Sequence, residues 1–226
     1  MANKNSSFAA RIFTIVLLAL LIAFVFIPTF SVKAEMEAGT KTETVFETSV
    51  SMKDVLAVAF LSDEAKADRL EKLTIERAEA KTKLMLEGKE ETEATNEVNS
   101  YAISREYALL LYFNDDASAL GISASTWMLI AAIIQIVLFV MLAAATLYSY
   151  LAMQYDNRHY PVVARAVGLV AGIVGVLLSL VVLFCLRGGK SPLNAYAAFN
   201  VFGFIFLALS VYLPVHIFVT CKKHKK

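Results

Sequence analysis

Four apolar runs constrain this chain more than any motif does: Ile12–Phe30 stands alone, and Thr126–Tyr150, Val162–Leu186 and Asn194–Thr220 follow close together. Each is near the roughly 20 residues that a helix needs to cross about 30 Å of hydrocarbon. Inside lipid an open chain satisfies every backbone amide only as a helix. The pattern therefore predicts a membrane all-α bundle of four transmembrane helices, over residues 12–30, 126–150, 162–186 and 194–220. Residues 31–125 between the first two runs are polar and numerous enough to fold as an inserted domain.

Composition agrees, since 58% hydrophobic residues and a mean hydropathy of +0.62 exceed what soluble chains carry. The net charge of +1 conceals a segregation. From Lys33 to Asp116 there are 19 acidic residues against 11 basic ones, whereas the rest of the chain has one acid, Asp156, against 10 bases. A chain divided in this way is polarised across a membrane.

The flanks of the runs give the direction. Lys4 and Arg11 lie in segment 1–11, Arg158 and Arg165 follow the second run, and Lys222, Lys223, Lys225 and Lys226 form the tail 221–226. Arg187 and Lys190 alone occupy the short connection on the other side. The positive-inside bias predicts both termini in the cytoplasm and the acidic domain outside. The expected location is the plasma membrane. The four tail lysines are expected to contact anionic inner-leaflet lipid. A cleaved signal peptide is the rival reading of the first run, with Val32-Lys33-Ala34 as a cleavage site. Its 19 apolar residues, however, exceed the roughly 7–15 of such a centre and approach bilayer thickness.

Within the outer segment, Thr40–Ser51 alternates apolar or β-favouring residues with charged ones and predicts a strand. Met52–Leu61 predicts a short helix, and Ser62 caps a long one from Asp63 to about Glu87, closed by Gly88. Ala67, Leu70, Leu73, Ala80 and Leu84 form its apolar stripe, with Arg77 in the seam, which favours packing within the chain over a coiled coil. Gly88–Ser100 has no apolar period and is expected to be a loop whose glutamates are solvated, since no calcium-loop pattern gathers them. Tyr101–Phe113 alternates and predicts a second strand antiparallel to the first, a helix through Arg105–Tyr112 being the alternative. Together these predict a small extracytoplasmic α+β domain between helices 1 and 2.

In the third run, Ala164, Gly168 and Gly172 recur at fours, and Ala171, Gly175 and Ser179 repeat the interval on an adjacent face. Small residues at this spacing let helix backbones touch in lipid, so this helix is expected at the centre of the bundle. Gln135 and Asn200 lie at similar depth and predict an interhelical amide pair. Pro214 is expected to kink the fourth helix, and His216 reads as a hydrogen-bonded structural histidine.

Function is less legible. The histidines, His159, His216 and His224, all fall on the predicted cytoplasmic side, and the outer segment has neither His nor Cys. A Ser–His triad, a Cys–His nucleophile and a zinc hydrolase are thus unavailable outside, and no phosphate-cradling or hydrolase motif occurs. The spans have no ionisable residue near midplane to carry ions. The layout, four spans with a large first external loop, is similar to claudin-like and other tetraspan proteins. It lacks the external Trp and paired Cys of claudin loops, its one tryptophan being Trp127 at the membrane edge. The expectation is a non-enzymatic protein without cofactor, metal or nucleic-acid partner, serving as an adhesion, scaffold or assembly subunit through its outer domain. Its partners would be lipid and a protein or a second copy. The alternative is an accessory subunit of a transporter or membrane enzyme that engages through its helices.

Overall fold

The computed structural model describes residues 2–39, 41–113, 119–155, 159–189 and 192–223. In chain order these form helix α1 (Ala2–Ala23), strands β1 (Pro28–Ala38) and β2 (Lys41–Ser51), helices α2 (Met52–Ala59), α3 (Asp63–Leu86), α4 (Glu91–Ser100), α5 (Ala102–Tyr112), α6 (Ala124–Gln154) and α7 (His159–Leu180), strands β3 (Arg187–Gly188) and β4 (Leu193–Phe199), and helix α8 (Val201–Lys223). A π-helical turn, Val181–Cys185, continues α7.

Three helices are long and apolar enough to cross a membrane: Ala124–Gln154, His159–Cys185 and Val201–Thr220. The fourth member of the bundle, α1, has a shorter apolar part, Phe8–Ala23. It lies against both α6 and α8, and α7 closes the ring between those two. Arg11 donates to the Ala152 carbonyl at 2.7 Å, and Thr14 meets His216 at 3.1 Å. The start of α1 thus sits at the ends of α6 and α8, which makes it antiparallel to both. His216 is hydrogen-bonded, as expected.

At the opposite end the chain turns from helix to sheet. The antiparallel order is β2-β1-β4-β3, so the strand leading out of α1 pairs with the strand leading into α8. Phe30, Val32 and Ala34 on β1 are fully buried, as are Ala195 on β4 and Val50 on β2. These residues join one continuous core with Leu17, Leu18 and Leu21 of α1 and Met128 of α6. Sheet and bundle are therefore cemented together rather than linked by a tether.

Helices α2 to α5 cover this platform. Ser51 and Asp54 make a reciprocal capping box at the start of α2, and the Ser62 hydroxyl accepts from the Ala65 amide at the start of α3. The expected strand at Thr40–Ser51, short helix at Met52–Leu61 and long helix after Asp63 are found at β2, α2 and α3.

Several expected boundaries are corrected. The first apolar run is helical only to Ala23, and its end, Pro28–Phe30, begins β1. Proline lacks the amide a helix needs and imposes extended geometry on its predecessor. The fourth helix begins at Val201 rather than Asn194, because Leu193–Phe199 completes the sheet. Gly88–Ser100 is mostly helix α4, which buries Ala94 and Val98 one turn apart against Leu84. Tyr101–Phe113 forms helix α5, so the expected antiparallel strand pair does not exist and β2 pairs with β1 instead. The sheet is thus not confined to residues 31–125, since it takes two strands from the connection after α7.

Candidate functional site

The small-residue faces of α7 lie where close packing requires them. A Cβ added to Gly172 would stand 2.4 Å from the Pro214 ring and 2.9 Å from the Ser210 carbonyl, and one added to Gly175 would stand 2.6 Å from the Ser210 hydroxyl. At Gly168 it would meet the tip of Ile217 at 2.9 Å. Ala164, Ala171 and Ser179 are buried beside them, and Ser179 donates to the Gly175 carbonyl at 2.9 Å. The seam belongs to α7 and α8 of one chain, with α6 on its other side.

The predicted amide pair does not form. Asn200 caps α8, accepting from the Gly203 amide at 3.1 Å and donating to the Pro28 carbonyl at 2.8 Å, so it joins α8 to β1. Gln135 is buried on α6, and neither its amide nitrogen nor its oxygen has a hydrogen-bond partner among the described residues. Of the tail lysines, Lys222 and Lys223 continue the backbone of α8, while Lys225 and Lys226 lie outside the described residues, as does the lipid contact expected of all four.

In the cap formed by α2 to α5, Arg77 is a half-buried cation that makes no ion pair with a carboxylate among the described residues. Arg77 of α3 stacks over the Tyr107 ring at 4.2 Å and the Phe46 ring at 5.0 Å, and donates to Asn99 Oδ1 at 2.9 Å. Desolvation pulls its pKa below the ordinary arginine value, with the phenols of Tyr107 and Tyr112 opposing the change. This explains an arginine in an apolar seam: the aliphatic stem and the two aromatic faces replace water. Burial also raises the Tyr112 pKa. Arg69 makes the opposite arrangement, a two-pronged pair with Glu106 at 2.8 and 3.0 Å, and that hydrogen bond raises its pKa.

Helix α3 has a second apolar stripe on its far side. Leu73 and Leu84 point into the cap, whereas Ile75 is 53% exposed and Leu86 84% exposed. Ala78 and Thr82, also exposed, lie between them at three- and four-residue intervals. Together with Glu79 and Lys83 these side chains line one shallow, open groove. Contiguous apolar positions on an outer helix face are the usual signature of a contact surface, and here they are flanked by one acid and one base that give it polarity. The sequence pattern shows only the inward stripe, because Ala78 and Thr82 separate Ile75 from Leu86 on the outward one.

A further apolar group marks the boundary between cap and bundle. Leu120 has φ 59° and is 85% exposed, beside Ala119, whose carbonyl accepts from the Trp127 indole at 3.0 Å. Positive φ is costly for a leucine, and the indole lies one turn into α6, where an amphipathic ring suits a membrane interface. None of the known protein families, curated proteins or solved structures compared with this chain matches it.

Proposed function

We propose that this chain is a non-enzymatic multi-pass membrane protein that uses its outer cap to hold another protein, as an adhesion, scaffold or assembly subunit. The groove along Ile75, Ala78, Thr82 and Leu86 carries the reading. It is a largely apolar surface of about three turns on the longest helix of the cap, of the kind that accepts a complementary helix. In this reading α1 is retained as a fourth span, both termini are cytoplasmic and the cap faces outward at the plasma membrane. The charge segregation and the packing of α1 against α6 and α8 support that arrangement.

The test uses the full chain, since a fragment covering 32–125 lacks β4 and would leave β1 without its second neighbour. A photo-crosslinking residue is placed at Ala78 or Thr82, between the two positions that the variant alters, and in a second set at the exposed bundle positions Val170 and Val211, in native membranes. Adducts from the α3 positions that disappear in I75E/L86E, with unfolding temperature unchanged, are the expected result. Adducts from the helix positions alone would overturn the cap reading in favour of an accessory subunit held through its spans.

A further inference from the structure

The bundle end that holds the start of α1 contains a cavity of about 50 Å³ to which all four helices contribute. Its polar lining is mostly cationic and hydroxylic: Arg11 and Thr14 from α1, Ser149 from α6, Arg165 from α7 and Thr220 from α8. No carboxylate lines it among the described residues. Thr14 and Thr220 direct their hydroxyl protons to carbonyls of their own helices, Thr14 to Ala10 at 2.9 Å and Thr220 to His216 and Ile217 at 2.9 Å each. The donors left to face the cavity are the Ser149 hydroxyl and the two guanidinium groups. Arg11 uses one of its N–H groups on the Ala152 carbonyl, in the last turn of α6, which fixes the side chain in place and leaves the others unused by that bond.

Two half-buried arginines lining one small cavity repel one another unless an anion lies between them. The helix ends do not supply that anion's field, because at this end the starts of α1 and α7 meet the ends of α6 and α8 and their dipoles oppose. The cations are therefore the dominant charge. Guanidinium groups suit a phosphoryl oxygen pair, which their forks bind with two parallel hydrogen bonds. A volume of about 50 Å³ is several times the roughly 10–15 Å³ that one water needs, and it accommodates a phosphoryl group. The helices that form the cavity are apolar and, for α6 to α8, membrane-length, which suits acyl chains as neighbours.

We propose that this cavity binds the phosphate of an anionic membrane lipid, clamped between Arg11 and Arg165. In the topology proposed above, the lipid belongs to the cytoplasmic leaflet, where basic pockets between helices meet anionic headgroups. In this proposal the lysine tail adds only diffuse attraction. Asp156, the sole acid outside the Lys33–Asp116 segment, is the rival counter-ion and lies outside the described residues.

The test is titration of the detergent-solubilised full chain with dioctanoyl phosphatidic acid, followed by native mass spectrometry and unfolding temperature. Saturable binding of one lipid is expected, with dioctanoyl phosphatidylcholine and inorganic phosphate binding at least tenfold more weakly. R165Q, which disturbs no hydrogen bond described here, should weaken binding by about tenfold, the usual effect of removing a charge-assisted hydrogen bond, and R11Q/R165Q should abolish it. Replacing Lys222, Lys223, Lys225 and Lys226 by Gln should leave the saturable component intact. Unchanged binding in R165Q, or loss of binding on neutralising the tail alone, overturns the site. Inorganic phosphate binding as tightly as the lipid overturns the lipid assignment, and a rise of more than tenfold in D156N assigns the arginines to that carboxylate instead. The detergent assay is blind to orientation, so an inverted topology appears only in protease protection on intact cells.

Discussion

Tyr196 of β4 donates its phenolic proton to Glu35 of β1 at 2.5 Å, joining positions 161 residues apart across the seam of the sheet. That hydrogen bond, with burial and the negative charges of Glu35 and Glu47 adding to it, pushes the tyrosine pKa up to about 12. A raised folded pKa means that the bond stabilises the fold fully below the ordinary tyrosine pKa near 10 and is lost as pH climbs through about 12. Alkaline absorbance titration of the wild type minus Y196F should therefore show a single late phenol. The stability loss between these two pH values should flatten in Y196F. A difference trace centred at the ordinary value would remove the bond.

Gly172 should tolerate no side chain. An alanine Cβ meets the rigid Pro214 ring at 2.4 Å and a backbone carbonyl at 2.9 Å, neither of which yields easily. G172A is expected to cost about 1–3 kcal/mol or more, the usual overpacking range. G168A should cost clearly less, because only the flexible tip of Ile217 stands in the way. Unfolding of both variants in mixed micelles decides the order, and equal losses would mean that the α7–α8 seam is looser than described.

Arg77 separates packing from charge. R77A removes the stem, both ring contacts and the bond to Asn99, and should destabilise the cap by about 2–4 kcal/mol. R77M keeps the stem and dispenses with a guanidinium nitrogen that is buried without a hydrogen bond, so it should recover at least half of that loss. Chemical denaturation followed through cap fluorescence distinguishes them; identical losses would assign the whole effect to the cation.

Gln135 should be replaceable. Its two amide atoms are buried and unbonded among the described residues, and an unsatisfied buried polar group costs about 1–3 kcal/mol. Q135M, similar in volume, is expected to raise the unfolding temperature. A lower one would mean that ordered water or a bound group completes the amide.

Much of this architecture can be read from residue spacing. The small residues of α7 announce their own packing because lipid gives few other reasons for Gly at every fourth position. Capping at Ser51 and Ser62 locates α2 and α3 to within a residue or two. The strands of the sheet seam are harder. Phe30, Val32 and Ala34 alternate, but they continue the apolar run of α1, and Leu193–Phe199 continues into α8 without a change in hydrophobicity. Only Pro28 and Asn200, a breaker and a cap, mark the changes from helix to sheet and back. Tyr101–Phe113 misleads in the other direction: it alternates like a strand, yet Ser104, Ala108 and Tyr112 recur at fours and are among the residues α5 buries, with Leu109 and Leu110. The arginine cavity is invisible to any local pattern, since its lining comes from four helices that only the fold brings together.

Because β1 must wait for β4, the platform beneath the cap lacks its third strand until the chain has been made past Phe199. Everything from α2 to α5 is synthesised well before that. Assembly of sheet and cap is therefore tied to delivery of the last hairpin, and a chain stalled before β4 would leave a half-built sheet with an open edge, the form that quality-control proteases and chaperones recognise.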